Sequence, residues 1–157
     1  MKITQKKIIR LVTGILLLIF TVWNITWFVY VAFKYTPYTE LVPKDKYGSH
    51  HIVDSDGYNF NVEKPIYLFF TGNLAAVAPG AACTLVIWPE VFGGYEYGLR
   101  VEDESGGYEI IVDSNGNALR LDGQSDNEFE QSVAVIENNR ESIQKIFEKA
   151  NNLWALE

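Results

Sequence analysis

The sequence contains few of the residues from which catalytic centres and metal sites are most often built. It has one cysteine, Cys83, and two histidines, His50 and His51, among 157 residues. A lone cysteine excludes an intramolecular disulfide and a thiolate zinc cluster. Its apolar neighbours predict a buried thiol, with a reactive or intermolecular thiol as the alternative. The chain also lacks Gly-x-Ser-x-Gly and any glycine-rich phosphate loop that ends in Lys-Ser/Thr.

These absences predict that the protein is not an enzyme. Nucleophilic catalysis by serine needs a histidine and an acid beside the serine, and no motif places them together. Acid–base chemistry by two carboxylates is the alternative, because the chain has 20 acidic residues. Glu90 and Glu96 would be the first candidates for such a pair, although an ordinary solvated acid explains each of them as well.

Two segments have some of the residues of a metal site but not the full pattern. His50-His51 precedes two aspartates within 54–56, but adjacent histidines on a strand point to opposite faces, so they chelate poorly. Residues 113–117 begin like a calcium-binding loop. However, Ala118 stands where that loop needs glycine, and Gln124 stands where it needs a bidentate glutamate. We expect a solvated loop and a hairpin turn respectively, and we predict no metal and no cofactor.

Charge is also missing from a long stretch near the N-terminus. Residues 11–33 have no charged side chain over 23 positions, which as a helix is about 34 Å long and sufficient for a hydrocarbon core of about 30 Å. Aromatic side chains in the second half of the stretch, such as Trp27 and Tyr30, favour the membrane–water interface. The pattern predicts a basic tail at 1–8 and a transmembrane helix at 9–35 that ends at Pro37 or just before it.

A cleaved signal peptide is the alternative interpretation of this segment. Signal peptides usually have an apolar core of about 7–15 residues followed by small residues at the cleavage site, whereas this run is longer and ends in bulky rings. Four basic residues precede the run and three follow it closely, so the positive-inside rule places the N-terminus in the cytoplasm. We expect a single-pass protein of the bacterial cytoplasmic (inner) membrane with an extracytoplasmic domain.

Asn24 is a polar side chain within the predicted membrane helix. Amide side chains in lipid often form hydrogen bonds with a neighbouring helix, which would make Asn24 a helix–helix contact. The alternative is that Asn24 lies near the interface and bonds to water or to lipid headgroups.

The rest of the chain predicts an α+β domain at 58–157, preceded by a linker at 36–57 that proline and glycine punctuate. Apolar or alternating runs predict strands at 58–62, 66–71, 83–88, 95–102, 108–112 and 119–121. The last three are joined by short turns and should form an antiparallel meander. The runs 66–71 and 83–88 are continuously apolar, which is typical of strands buried on both faces.

A C-terminal amphipathic helix should pack on this sheet. Ser125 and Glu128 have the spacing of a capping box. Apolar residues then recur every three, four or seven positions as far as Trp154, which places them on one helical face. The pair Asn138-Asn139 is expected to kink or split the helix. Strands followed by such a helix indicate an α+β fold.

The charge and aromatic content of the domain indicate its partners. Residues 34–157 hold all 20 acidic residues and nine of the 13 basic ones, so the basic patches that nucleic acid needs are not expected. The segment 88–97 combines four aromatic residues, two glycines and two acids, a composition found in recognition surfaces as well as in cores. The predicted protein-binding residues are Trp88, Glu90, Phe92, Tyr95, Tyr97, Glu102, Asp103 and Glu104.

One anchor helix followed by a compact acidic domain without catalytic residues is a plan that resembles membrane-tethered bacterial immunity proteins, which inhibit toxins acting outside the cytoplasmic membrane. The resemblance is one of architecture. It implies a non-catalytic protein-binding module whose partner is a basic toxin or another envelope protein. The alternative hypothesis is an accessory subunit of a membrane complex that associates through the transmembrane helix.

Overall fold

The structure is a computed structural model that describes residues 5–67, 69–81, 83–103 and 106–156. It begins with the helix α1, Gln5–Leu41. Six strands follow: β1 (His50–Val53), β2 (Asn59–Glu63), β3 (Asn73–Val77), β4 (Cys83–Pro89), β5 (Tyr95–Asp103) and β6 (Gly106–Val112). A short 3₁₀ turn at Pro79–Ala81 separates β3 from β4, and the last two elements are α2 (Asp126–Asn138) and α3 (Arg140–Trp154).

The strands form one open antiparallel sheet in the order β1-β2-β3-β4-β5-β6. Each strand pairs with its neighbours in sequence; Leu85 of β4, for example, lies opposite Ala76 of β3 and Leu99 of β5. The predicted α+β fold and the antiparallel meander are therefore confirmed. The meander extends over all six strands because every connection between neighbouring strands is short enough to return the chain beside itself.

Alternate residues of the strands build the hydrophobic core on one face of the sheet. Leu74, Leu85, Ile87, Leu99 and Val101 are at most 2% exposed. The helix α3 covers this face with its apolar side chains Ile143, Ile146, Phe147, Ala150 and Trp154. The predicted amphipathic helix thus packs on the sheet as expected, because burying this stripe removes both apolar surfaces from water.

The C-terminal helical segment is split where its two asparagines stand. The capping box at the start of α2 is present: the Ser125 hydroxyl accepts a hydrogen bond from the Glu128 N–H, and the Glu128 carboxylate accepts one from the Ser125 N–H. Asn139 has non-helical dihedral angles, φ −115° and ψ 14°, and separates α2 from α3. The predicted cap and break are both confirmed.

The helix α1 continues from the apolar segment directly into the domain core. Its most apolar 18-residue window has a mean hydropathy of 2.1, and none of that window is buried in the protein. Length and composition qualify α1 to cross a membrane, and a signal sequence meets the same two criteria. The last turns differ, because Tyr35 and Tyr38 of α1 and Val42 after it are buried in the same core as the sheet.

Four local predictions were wrong. The helix does not end at Pro37 but continues through it to Leu41, because Tyr38 and Thr39 are held in the buried interior. The predicted linker 36–57 includes this last helical turn and the strand β1. Residues 119–121 form no strand: only one isolated bridge joins Val112 to Ala118, and Leu119 donates a single bond to Ile111.

The fourth wrong prediction concerns the apolar run 66–71, which leaves the sheet as a loop between β2 and β3 and packs along α1. Leu68 within it lies outside the described residues. Pro65 has no N–H to give to a strand pair, which favours a departure at this point. The strand that does form, β3, starts at Asn73 and buries only Leu74 and Ala76, an apolar pattern too weak to predict it.

Candidate binding surface

All three helices lie on one side of the sheet, and its other side, which we call the open face, is formed by the alternate strand residues. On β4 these are Thr84, Val86 and Trp88, whose side chains are only partly buried. An antiparallel sheet with one solvated face normally presents polar side chains to water. Here Val86 lies opposite Ala75 of β3 and Gly98 of β5, so the open face has an apolar centre.

A shallow groove of about 510 Å³ crosses the open face over β4, β5 and β6. We call it the open-face groove. Its apolar lining comes from Val86, Trp88, Ile111 and Leu121, and its polar lining from Thr84, Arg100 and Glu109. The groove is open to solvent along its length. A surface of this shape and composition suits a protein side chain or short segment better than a small polar substrate.

Trp88 owes its position in the groove to the absence of a side chain at Gly98. A β-carbon at Gly98 would lie 2.8 Å from Cη2 and 2.9 Å from Cζ3 of Trp88. The far edge of the indole therefore lies against the backbone of β5 at Gly98, and the side chain stays partly exposed. Large, stiff aromatic side chains held this way are the residues that most often anchor protein interfaces, because little conformational entropy is lost when a partner covers them.

The charges around the groove are mostly negative. Glu63, Glu96, Glu102 and Glu109 occupy open-face positions of β2, β5 and β6, and Arg100 is the one lysine or arginine at a described open-face strand position. The Arg100 guanidinium lies 3.1 Å from the Glu102 carboxylate, with both side chains more than half exposed. The open face therefore carries an excess of negative charge that attracts a basic surface.

The structure separates the predicted site residues into several groups. Trp88 is in the groove, Glu90 is exposed, and Phe92 at the tip of the β4–β5 turn is 101% exposed. Tyr95 and Tyr97 lie on the opposite side of β5. Tyr97 is buried and its ring contacts Phe147 at a centroid distance of 5.5 Å, while the Tyr95 hydroxyl lies 2.9 Å from that of Tyr38. These two tyrosines connect the sheet to the helices.

The predicted acidic cluster lies at the other end of β5 from the aromatic turn. Glu102 is exposed on the open face, and Asp103 is the last residue of β5. Glu104 lies outside the described residues. Because a strand advances about 3.3 Å per residue, Tyr95 and Asp103 are roughly 26 Å apart along the strand. The structure therefore does not bring Glu102 and Asp103 together with Glu90 and Phe92.

The side-chain amide nitrogen and oxygen of Asn24 both have hydrogen-bond partners within the chain. Its Nδ2 donates to the Phe20 carbonyl at 2.7 Å, and its Oδ1 accepts a hydrogen bond from the Tyr67 hydroxyl at 3.2 Å. Tyr67 belongs to the loop between β2 and β3. The predicted contact with a second helix stays a prediction, and the hydrogen bonds of Asn24 do not require one.

The cysteine is buried, and both histidines have hydrogen-bond partners within the protein. Burial raises the pKa of the Cys83 thiol to about 11, which keeps it protonated and unreactive at neutral pH. His50 Nδ1 lies 2.7 Å from the Val42 carbonyl, and His51 Nε2 lies 3.2 Å from Asn59 Oδ1. Among the described residues, no three His, Cys, Asp or Glu side chains are grouped so that they could hold a metal ion.

Asp113, the first residue of the calcium-like segment, organises a hairpin turn. Its Oδ1 accepts hydrogen bonds from the N–H groups of Asn115 and Asn117, and Gly116 adopts a φ of 76°. Burial acts to raise the pKa of Asp113, but the hydrogen bonds from Asn117 and Asn115 outweigh it and leave the pKa below its usual value. The predicted turn is confirmed.

Sequence reasoning missed most of the groove. Val86, Ile111 and Leu121 line it but were assigned to the interior or to a strand. A signal was present: Ile111 stands between the core residues Ile110 and Val112, so an apolar residue occupies a position that the alternation assigns to water. Val86 breaks the alternation of β4 in the same way.

Comparison with known proteins does not assign this chain to a family. The chain matches no protein-family model, no curated protein and no solved structure.

Proposed function

We propose that this chain is a single-pass protein of a bacterial cytoplasmic membrane whose extracytoplasmic domain binds a protein partner through the open-face groove, without catalysis. The observation that carries the proposal is the apolar centre of a sheet face that no described helix covers. Val86, Trp88 and Ile111 occupy positions where a solvated sheet face presents polar side chains. An apolar strip with a charged rim is typical of an interface that is buried on association.

The anchoring part of the proposal is supported by how α1 ends. A signal peptide is removed after export, and its loss must leave a stable domain. Here Tyr35 and Val42 are fully buried, and Tyr38 is 8% exposed in the same core. Cleavage within or after α1 would take buried aromatic side chains out of the core, so α1 is better explained as a permanent anchor with its basic end in the cytoplasm.

The charge of the open face supports a basic partner. Four glutamates and one arginine stand at open-face strand positions, and residues 34–157 have a formal charge of −11. Complementary charge speeds the encounter and disfavours acidic competitors. A basic toxin that acts outside the cytoplasmic membrane fits this requirement, and the chain would then act as its membrane-tethered immunity protein.

Site-specific photo-crosslinking of the full chain tests the proposal in the cells that produce it. Benzoylphenylalanine placed at Val86 or at Ile111 probes the groove, and the same residue at Lys145, exposed on α3, is the matched control. We expect one basic protein to be crosslinked from both groove positions and not from Lys145. The adduct should weaken when Glu96 and Glu109 are replaced by lysine, because the rim would then repel a basic surface.

Adducts that are equally strong from Lys145, or that persist unchanged with Glu96→Lys and Glu109→Lys, would contradict the proposal. Circular dichroism of each variant shows whether the sheet is retained, so a lost adduct can be assigned to the surface rather than to unfolding.

A further inference from the structure

The loop between β2 and β3 contains four apolar or aromatic side chains and contacts α1. Two of them, Ile66 and Phe69, also line a pocket beside Trp88 at the edge of the open face. We call Ile66, Tyr67, Phe69 and Phe70 the aromatic loop. Phe70 contacts Trp23 and Tyr30 edge to face, at centroid distances of 5.1 and 5.2 Å. Tyr67 contacts Trp27 in the same way at 5.8 Å. The rings of Tyr67 and Phe70 therefore pack against the apolar helix.

The depth of the aromatic loop follows from the residues of α1 that it touches. The uncharged run of α1 starts at Leu11, and about 20 helical residues cross the hydrocarbon core, which places the upper boundary near Tyr30. Trp27 and Asn24 lie three and six residues below that boundary, or about 4.5 and 9 Å along the helix axis. Tyr67 is bonded to Asn24 and Phe69 to Trp27, so the tip of the loop is below the boundary.

The aromatic loop exposes apolar side chains, which is unfavourable in water and favourable in lipid. Ile66, Tyr67 and Phe69 are 67%, 44% and 57% exposed, although they stand beside a helix against which they could have been buried. Residues 65–73 carry no charge. The exposed side chains of α1 at the same depth, such as Phe28 at 69%, are apolar as well. Helix and loop together present one continuous apolar surface.

The neck of the loop marks the level of the lipid headgroups. The Gly72 N–H donates to the Tyr35 hydroxyl at 2.7 Å, which fixes the neck beside Tyr35. A β-carbon at Gly72 would lie 2.1 Å from the Glu63 carbonyl oxygen, so the two sides of the neck are closely packed. Lys64 in the neck and Lys34 on α1 thus lie at a similar level, where ammonium groups interact favourably with phosphate.

The backbone N–H and carbonyl of Phe69, near the tip of the loop, both have hydrogen-bond partners within the protein. The Phe69 N–H donates to the Ile66 carbonyl at 3.0 Å, and the Phe69 carbonyl accepts a hydrogen bond from the Trp27 indole N–H at 2.9 Å. An unsatisfied peptide group in hydrocarbon costs several kcal/mol, so irregular backbone survives at membrane depth only when protein groups satisfy it. Trp27 supplies such a group from the helix.

We propose that the aromatic loop is a second membrane-embedded element, inserted beside α1 among the acyl chains of the leaflet that faces the domain. The inference rests on the proposed function in one respect, namely that α1 spans the bilayer. Two attachments, one a helix and one a loop held to it by Trp27 and Tyr35, would fix the tilt of the domain on the membrane. The open-face groove would then keep a constant orientation relative to the bilayer.

Fluorescence quenching in proteoliposomes of the full chain tests the insertion. Single cysteines replace Phe69, Phe28 or Val53 in a Cys83→Ala background, and each is labelled with an environment-sensitive dye. The vesicles contain phosphatidylcholine brominated midway along its acyl chains. Phe28 on α1 reports the span, and Val53, which is 56% exposed at the end of the sheet away from the loop, reports the aqueous side.

We expect the Phe69 label to be quenched to within about twofold of the Phe28 label, because both lie in the same ~30 Å layer, and the Val53 label to be unquenched. Quenching at Phe28 with none at Phe69 overturns the insertion and leaves the anchor intact. No quenching at either position overturns both. As a measurement without cysteine variants, a lipid with a photoactivated diazirine in its acyl chain should label residues 66–70 of the unmodified chain and not residues 50–58.

Discussion

Two glycines control where large side chains lie in this molecule, and neither does so through an unusual dihedral angle. Gly98 leaves the space that the Trp88 ring occupies on the open face, and Gly72 allows the neck of the aromatic loop to close on Glu63. In both cases the requirement is close approach: any β-carbon would overlap an atom of another strand or side chain. The open-face groove therefore depends on a residue that contributes no side-chain contact to it.

Gly98→Ala should displace the Trp88 ring and destabilise the domain. The new methyl group would stand 2.8 Å from the indole, an overlap of the kind that costs about 1–3 kcal/mol, while replacing glycine recovers roughly 0.4–1 kcal/mol from the unfolded state. We expect a net loss of about 1 kcal/mol in the free energy of unfolding by urea denaturation. Near-ultraviolet circular dichroism should change together with the stability, since the ring loses its fixed position.

Gly107→Ala is the matched control, because Gly107 lies on the same face in the neighbouring strand β6. The nearest atom to a β-carbon there is Glu102 Cγ at 3.9 Å, an ordinary contact. The control should leave the aromatic signal unchanged. Equal behaviour of the two variants would show that Trp88 does not depend on Gly98.

At the residue scale, the sequence predicted what local chemistry decides. Ser125 and Glu128 form the expected capping box, and Asn139 breaks the helix as expected. The roles of Gly98 and Gly72 were not predictable, because each depends on an atom brought close by strand pairing rather than by the local sequence. Likewise, Tyr97 and Trp88 belong to one aromatic segment, and only the pleat of paired strands shows that they face opposite sides.

At the element scale, three turns use the same device to reverse the chain. Asp45, Asp54 and Asp113 each accept hydrogen bonds from the N–H groups two and four residues later, and a glycine with positive φ follows three residues after each. A type I turn followed by a left-handed glycine has the twist that antiparallel strands need. The repeated Asp-x-x-Gly pattern therefore carries structural information, and the aspartates are occupied by backbone donors.

The second of these turns is also tied to α3. The Lys149 ammonium lies 2.9 Å from Asp54 Oδ2, contacts Asp56 as well, and stands over the Tyr58 ring at 5.4 Å. The side-chain hydrogen bond from Lys149 lowers the pKa of Asp54, and the bonds to Asp56 and Asp54 raise the pKa of Lys149. This cluster joins the last helix to the β1–β2 turn, which lie far apart in the sequence.

Lys149→Met should lower the melting temperature at neutral pH. It should also make the melting temperature change less as the pH falls into the acid range. A depressed carboxyl pKa stabilises the fold above the unfolded value of about 3.9, and that contribution is lost as the pH falls through the folded pKa of Asp54. A raised lysine pKa stabilises the fold below the unfolded value of about 10.4, and that contribution is lost as the pH rises through the folded pKa. Calorimetry from acid to alkaline pH measures the melting temperature and so detects the loss of stability at each end of the pH range.

Lys145→Met removes the same charge from the same helix at an exposed position and serves as the control. The control should show the same losses of stability at acid and at alkaline pH as the unmodified protein. If the two variants gave the same pH profile, the effect would come from net charge and not from the cluster at Asp54.

Prediction of the elements succeeded where periodicity was strong and failed where another element overrode it. The strands β4, β5 and β6 and the C-terminal helical segment were found, because their apolar residues repeat with clear spacing. The run 66–71 has strand composition, but Trp23, Trp27 and Tyr30 of α1 offer it a longer apolar surface than a strand partner does. The strand β1 was missed because its four residues include two histidines.

At the scale of the whole molecule, the proposed anchor and the domain share one continuous helix. At about 1.5 Å per residue, the 37 residues of α1 extend roughly 55 Å, well beyond the ~30 Å of a hydrocarbon core. The excess length is the part that Tyr35 and Tyr38 fix in the core. The prolines and glycines of 36–57 predicted a linker at this point. A rigid connection follows instead, because buried tyrosines hold the helix on both sides of Pro37.

If α1 is the proposed anchor, a rigid connection makes the orientation of the chain in the membrane decisive for the proposed function. Four basic residues precede the apolar run, so the positive-inside rule predicts an N-terminus in the cytoplasm. Alkaline phosphatase fused through a flexible linker after residue 157 should therefore be active, and a fluorescent protein fused at the same place should be dark. The linker is needed because Leu156 is 6% exposed and packs in the core.

The triple variant Lys6→Gln, Lys7→Gln, Arg10→Gln tests whether charge sets this orientation. Three lysines, Lys34, Lys44 and Lys46, then outnumber the one remaining basic residue on the N-terminal flank, Lys2, so phosphatase activity should fall and fluorescence should rise. An inactive phosphatase in the unmodified chain would place the domain in the cytoplasm. Toxins that act outside the membrane would then be excluded as partners, whereas the proposed basic partner of the open-face groove would then be sought among cytoplasmic proteins.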